Sequence, residues 1–397
     1  MRKLIAATIM MFAGVGAQAH SDYELVSSQF TFEAPSITTL EMRWQAGDNP
    51  LNQFRIKRVL DAKAWFKPKK PVLFISPFNV TSDHYTLSST GEYQHSLEAQ
   101  MALAGYDVWI VEDRVYTEDP ALCESEYDCS VVSDWSFDVR FQDIELARHF
   151  IYWVTGVKDP VIGGITGGGM VSIALVNEYP QAFRGLFSTG AIYSLDPDTV
   201  AKNQMECDNF HALIADGIGY ADALFGLTPL VEAAKNDPDG PSFAAPGLTN
   251  LQFLVLLLGT PGGLGAASLT PNYSFATGLP DLSDFAYMNK DVFYEDYYYF
   301  GGLASNRHFA DIVCSIAGDP TYTQWLGDFT GDVLFLGGGA GMALLQQDNA
   351  TLFVNAASVD VIVDPVDGGE GDNYLVDFED RQLRLDNPLL DWLDNQY

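Results

Sequence analysis

Four short, almost wholly apolar runs constrain this chain more than any other feature. They are Pro71–Ser76, Tyr106–Val111, Pro160–Ile165 and Gly185–Gly190. A strand that is apolar at every position has to be buried on both faces. Parallel strands with helices packed above and below satisfy that requirement. The intervening segments have helical character. Leu97–Ala104 is stopped by Gly105, and Gly167–Tyr179 stops before Pro180. Phe137–Val154 carries Ile144, Ala147, Ile151 and Val154 along one face, at the spacing of an amphipathic helix. Earlier runs at Gln29–Phe32, Thr38–Trp44 and Phe54–Leu60 read as two or three antiparallel strands. The pattern therefore predicts an α/β fold: a mostly parallel sheet with helices on both faces.

The alternation breaks between about Ser194 and Gln324. That stretch is rich in Gly, Pro and aromatics, including Tyr294, Tyr297, Tyr298, Tyr299 and Phe300, which read mainly as packing residues with a minority lining an apolar pocket. It resumes at Asp332–Leu336 and Val359–Val363, with a C-terminal helix around Leu389–Trp392. The predicted organisation is a leader over 1–19, a core over 20–194, an inserted cap over 195–325, and the rest of the core over 326–397.

The chain has 397 residues, 21 basic against 53 acidic, and a formal net charge of −32. With 47% hydrophobic residues it can bury a large core, so full disorder is excluded. The missing basic clusters argue against nucleic acid and against anionic membrane surfaces. Arg2 and Lys3, the apolar Leu4–Gly16 and the Ala17-Gln18-Ala19 site read as a cleaved signal peptide. No later run approaches the ~18 apolar residues of a membrane span. The expected location is periplasmic or secreted. In such an oxidising compartment the four cysteines are expected to form two disulfides. Three pairings are possible; Cys123–Cys129 and Cys207–Cys314 are favoured, with buried free thiols as the alternative.

Two motifs bear a family resemblance. Val161-Ile162-Gly163-Gly164-Ile165-Thr166-Gly167-Gly168-Gly169-Met170 resembles the nucleophile elbow of the α/β-hydrolase superfamily. Gly105–Arg114 is similar to that family's strand and following acidic-Arg turn, and Tyr179–Leu186 fits the exit from the elbow helix. The resemblance implies hydrolysis of an ester or related acyl bond. It places Thr166 at the nucleophile, in Gly164-Ile165-Thr166-Gly167-Gly168 spacing. The N–H of Gly167 would face an oxyanion. The turn Ser76-Pro77-Phe78-Asn79 would supply the second donor. Pro77 has no N–H, so Phe78 or Asn79 must provide it.

The remaining positions depart from the common Ser-His-Asp pattern. The acid is expected after Leu336, where the chain reads Gly337-Gly338-Gly339-Ala340-Gly341-Met342. The His is expected after the last strand, where Glu370 takes the matching place. Two readings follow. In one, Thr166 attacks an acyl carbon and Glu370 accepts its proton, with a pKa raised by burial and by Asp372. In the other, the fold is retained without catalysis and the cap binds a small apolar molecule or a partner. No cofactor or metal is implied, and the oligomeric state is open. His84 is weighed as a residue facing the site against an ordinary loop histidine, and His308 as a replacement base against a structural role. His20 is weighed as a copper ligand, and Asp367, Glu370 and Asp372 as a calcium cradle, against solvated loops.

Overall fold

A computed structural model describes residues 22–34, 36–64, 69–88, 90–115, 120–222, 228–259, 283, 290–338, 343–364 and 387–397. The signal peptide assigned to 1–19 therefore lies outside the described residues, as do Glu370, Asp367, Asp372 and the 339–342 segment. None of the described helices is long and apolar enough to cross a membrane.

Eleven strands are described. β1 (Tyr23–Ala34), β2 (Ile37–Ala46) and β3 (Gln53–Asp61) form an antiparallel N-terminal edge. β4 (Pro71–Ile75), β5 (Asp107–Val111), β6 (Val161–Gly164) and β7 (Gly185–Ser188) correspond to the four apolar runs. β8 (Tyr220–Asp222) and β9 (Leu303–Ser305) pair only with each other, and β10 (Asp332–Gly338) and β11 (Ser358–Asp364) complete the main sheet. The nine-stranded order is β1-β2-β3-β5-β4-β6-β7-β10-β11, parallel from β5 onward. The four predicted runs are thus mutual neighbours, in the order β5-β4-β6-β7.

Side-chain alternation divides each of these strands between two cores. Leu73, Ile75, Trp109, Val111, Ile162, Leu186, Val333 and Phe335 enter one of them. It is closed by helices α2 (Phe137–Thr155) and α3 (Gly167–Glu178). Val72, Phe74, Val108, Ile110, Val161, Phe187, Leu334 and Leu336 enter the other. That one is closed by α1 (Leu97–Leu103) and the C-terminal α10 (Asn387–Asp394). α2 starts on Ser136, whose hydroxyl caps Val139 N–H, and ends on Gly156 at φ 75°.

Between β7 and β10 the chain leaves the sheet. This stretch holds α4 (Pro197–Ala215), α5 (Thr228–Asn236), α6 (Asn250–Gly259), α7 (Lys290–Asp296) and α8 (Asn306–Ile316). After β10 comes α9 (Ala343–Ala350). Disulfides join Cys123 to Cys129 and Cys207 to Cys314, the second tying α4 to α8.

The antiparallel edge departs from simple alternation. Strand β3 buries Arg55, Lys57 and Arg58, each under a tenth exposed. Arg58 makes two 2.7 Å bonds to Asp107, Lys57 reaches Glu98 at 2.7 Å, and Arg55 reaches Glu112 at 2.7 Å. In a chain with only 21 basic residues, some of the cations are spent inside the core.

Candidate functional site

Strand order decides where a site can form. β4 and β6 are neighbours, and the connection leaving β4 runs toward β5 while the one leaving β6 runs toward β7, in opposite directions. Open α/β sheets bind ligands in the crevice this opens. β4 and β6 are in register, Ile75 opposite Gly164. The turns that follow them, 76–79 and 165–167, therefore start at the same level and face each other.

Thr166 occupies the turn from β6 into α3 with φ 45° and ψ −115°. For a β-branched residue this backbone is strongly disfavoured. Among the described residues only one other non-glycine has positive φ: Asn79 at 56°, on the facing turn. The two positive-φ, side-chain-bearing residues among the described residues thus sit on the two turns that meet.

Neighbours without side chains permit the elbow. A Cβ on Gly168 would stand 2.2 Å from Ile75 O, and one on Gly190 1.9 Å from Thr166 O. Thr166 is 8% exposed. Its N–H donates to Thr189 Oγ1 at 3.2 Å, and its hydroxyl oxygen accepts from Gly167 N–H. Among the described residues that hydroxyl has no histidine or carboxylate partner.

The two expected donors on the 76–79 turn are placed differently. Asn79 N–H donates to Asp113 Oδ2 at 3.1 Å, so it is already engaged. Phe78 N–H makes no hydrogen bond among the described residues. It lies beside Gly167: a Cβ on Gly167 would be 2.9 Å from Phe78 N and 2.7 Å from Phe78 Cβ. The N-terminal end of α3 adds its partial positive charge here.

The segment leading into β9 straps this turn. Gly301 N–H donates to Asn79 O and Asn79 Nδ2 to Gly301 O, both at 2.9 Å. Thr81 N–H donates to Tyr299 O at 2.9 Å. From α8, His308 packs its ring 4.1 Å from that of Phe78 and 5.1 Å from that of Phe137, and Phe309 lies 4.8 Å from Phe78. Burial, reinforced by the charge of Arg140, holds the His308 imidazole well below its usual range, so it is neutral. His84 is fully buried in the short helical turn after Asn79.

Arg140, which sequence reasoning passed over, and Asp113, which it noted only as part of the acidic-Arg turn, lie directly under the 76–79 turn. Arg140 Nη2 donates to Ser76 O at 3.0 Å, and Arg140 Nε is 3.1 Å from Asp113 Oδ1. Burial pushes the Asp113 carboxyl up and the Arg140 guanidinium down, each opposed by the charge of the other. A signal for Arg140 was present: it falls on the buried face of α2 with Phe137, Phe141 and Ile144.

Cys207, His211 and Cys314 come close enough together to resemble a metal site. Both sulfurs are committed to the disulfide, which removes two of the three ligands. A separate cavity of about 310 Å³ lies between α5 and α7, lined by Ala234, Pro238 and Tyr294 among others. None of the residues of the two facing turns contributes to it.

No family model matches the sequence, and no curated protein matches it. Solved structures do. A protein of Sulfolobus solfataricus named as a candidate lipase superposes with TM-score 0.62 at 15% identity, over 94% of this chain and 100% of that one. A carboxylesterase of Nitrososphaera gargenis gives 0.46 at 11%, over 93% and 98%. A monoacylglycerol lipase of Paleococcus ferrophilus gives 0.46 at 12%, over 84% and 97%. Similarity at such identities speaks to architecture, and only the first is close enough in shape to argue from. With the sheet order, the two cores and a strand-to-helix elbow at Thr166 in place, that likeness makes the chain a protein of the α/β-hydrolase fold.

Proposed function

We propose that the protein is an exported hydrolase of an apolar ester or related acyl compound, with Thr166 as nucleophile. The observation that carries this reading is the pairing of strained residues. A hydroxyl-bearing, β-branched residue is held where glycine would sit without cost, opposite a second strained non-glycine. Strain of roughly 1–3 kcal/mol per residue persists where surrounding structure over-determines it, and it concentrates at functional sites.

In this mechanism Thr166 Oγ1 attacks the acyl carbon and its proton passes to a base, assigned to Glu370. The carbonyl oxygen becomes an oxyanion between the N–H groups of Gly167 and Phe78. Protonated Glu370 gives the proton to the departing alcohol as the tetrahedral species collapses to the acyl-threonine. Water, losing a proton to Glu370, then attacks the acyl carbon, and the carboxylic acid leaves as that proton returns to Thr166 Oγ1. Because Thr166 Oγ1 accepts from Gly167 N–H in the resting geometry, the side chain must turn to release that donor. Residues 195–325 serve as the cap that covers an apolar acyl group, and residues 1–19 direct export.

A second reading, in which the fold binds a small apolar molecule without turnover, is favoured by one observation. The Thr166 hydroxyl has no base beside it among the described residues. A fluorophosphonate probe with mass-spectrometric mapping separates the two. Labelling at Thr166 that Thr166→Ala abolishes, together with slow turnover of short activated esters, supports the hydrolase. No labelling and no turnover leaves the binding reading.

A further inference from the structure

We infer that the buried Arg140–Asp113 ion pair positions the oxyanion-binding turn, so that both are positioning residues for acyl transfer at Thr166. The inference rests on the reading of the site proposed above. It is carried by an accounting of the main-chain N–H groups of a four-residue turn.

The ion pair grips the turn at both ends. Arg140 Nη2 donates to the carbonyl of Ser76, the first residue, at 3.0 Å. Asp113 Oδ2 accepts from the N–H of Asn79, the last residue, at 3.1 Å. The two grips are joined by the 3.1 Å contact of Arg140 Nε with Asp113 Oδ1. The Asp113 main chain adds a return bond, its N–H donating to Ser76 Oγ at 2.9 Å. Ser76 N–H is occupied by Val111 O at 3.0 Å. Pro77 has no N–H. One main-chain donor is left over among the described residues, Phe78 N–H, and it is the one beside Gly167.

An oxyanion hole accelerates a reaction only if its donors are aimed before charge develops. A turn containing a non-glycine residue at φ 56° does not hold that aim by itself. The grip on Asn79 N–H fixes the strained residue, and the grip on Ser76 O fixes the entry. A buried ion pair is costly to desolvate and is weak evidence for stability as such. Arg140 and Asp113 are each only 3% exposed. Use of such a pair to hold a turn accounts for its presence beneath the site, Asp113 just beyond β5 and Arg140 in the first turn of α2.

The test compares the wild type with Arg140→Lys and with the double variant Arg140→Met/Asp113→Asn, which leaves no buried charge without its opposite. Circular dichroism establishes folding of each. Hydrogen–deuterium exchange is read on peptides spanning 71–75 and 76–81. Turnover is read on an activated ester and on its thionoester, whose sulfur accepts hydrogen bonds weakly. We expect exchange in 76–81 to rise at least about tenfold in the double variant, with 71–75 unchanged. The ester kcat should fall on the order of 100-fold, as for loss of one oxyanion donor, with KM little changed. The thionoester kcat should fall far less. Arg140→Lys should show the same pattern at smaller amplitude. Unchanged exchange in a folded variant, or an equal fall for ester and thionoester, overturns the inference. If wild-type turnover proves independent of Thr166, the hydrolase reading fails, and the exchange result alone then decides whether the pair positions the turn.

Discussion

Replacing Lys57 by Met should unmask how strongly the buried charges of β3 depend on one another. Lys57 is 2% exposed and Glu98 1%, and Lys57 Nζ stands 2.7 Å from Glu98 Oε1. Tyr93 also donates to Oε1 at 2.7 Å, while Oε2 makes no hydrogen bond among the described residues. Without its ammonium partner the carboxylate is left charged in the core with one hydroxyl for support. Removing one partner of a buried pair costs roughly 3–5 kcal/mol, a large part of the ~5–15 kcal/mol that holds a typical domain together. Burial already pushes the Glu98 carboxyl up, against the pull of Lys57. Losing Lys57 raises it further. A group with a raised folded-state pKa contributes stability that is present below its unfolded value and lost as pH rises through the folded one. The penalty of Lys57→Met should therefore be greatest near neutral pH and shrink toward pH ~4.5, close to the ordinary Glu value. Urea unfolding with disulfides intact, followed by tryptophan fluorescence, reads this directly, since Trp44 and Trp109 are buried in the same sheet. The double variant Lys57→Met/Glu98→Gln should return to within about 1 kcal/mol of wild type, because no buried charge is then unmatched. A single-variant cost below about 1 kcal/mol, or a double variant as unstable as the single, would refute the reasoning.

Gly190→Ala should destabilise by roughly 1–3 kcal/mol or more, as overpacking does, because its Cβ meets the Thr166 carbonyl; a denaturation midpoint equal to that of wild type would contradict the tight elbow. Burial pushes the Asp311 carboxyl up to about 6, against bonds from Phe137 N–H and Tyr322. Its stabilising contribution is thus full below the unfolded value near 4 and declines as pH rises through about 6. Asp311→Asn should flatten the stability profile across that window, and an unaltered slope there counts against the assignment.

What could be read in the sequence follows from what kind of signal each element leaves. The strands β4 to β7 are near-continuous apolar runs because both faces are buried, so composition alone marks them. The elbow is marked by glycines that backbone contact requires, at Gly168 and Gly190. The run ends differ slightly: Ile165 and Gly190 belong to turns, β6 and β7 stopping at Gly164 and Ser188. Strand β3 is the opposite case. Arg55 and Lys57 alternate with Phe54 and Ile56 as if one face were wet, yet Glu112 and Glu98 cover that face. Pairing between distant residues leaves no local trace. Arg140 is an intermediate case: its place on the buried face of α2 is a local signal, but its partners on the turn after β4 and at Asp113 are remote in sequence. Among the candidate donors, sequence could not separate Phe78 from Asn79, because only the contact with Asp113 shows which N–H is occupied.

The two disulfides have different weights, and the difference leads back to the site. Cys123–Cys129 spans 6 positions and Cys207–Cys314 spans 107. In the loop-entropy account the short one contributes about 2 kcal/mol and the long one about 5 kcal/mol. The long one also acts on a particular element. It anchors α8, whose first turn presses His308 and Phe309 against Phe78, and the stacking of Phe210 on Phe309 runs beside it. Replacing Cys207 and Cys314 by Ser should therefore loosen α8 on the Phe78 turn, lower thermal stability more than the Cys123/Cys129 double replacement does, and reduce Thr166 labelling by a fluorophosphonate. The short loop clip touches neither turn, so its loss should leave labelling close to wild type. Thiol titration of the unfolded chain without reductant should find no reactive cysteine in the wild type and none in either double Ser variant. If the short bridge proves the more costly to remove, or labelling is indifferent to the long one, the segment between β7 and β10 does not support the site through α8.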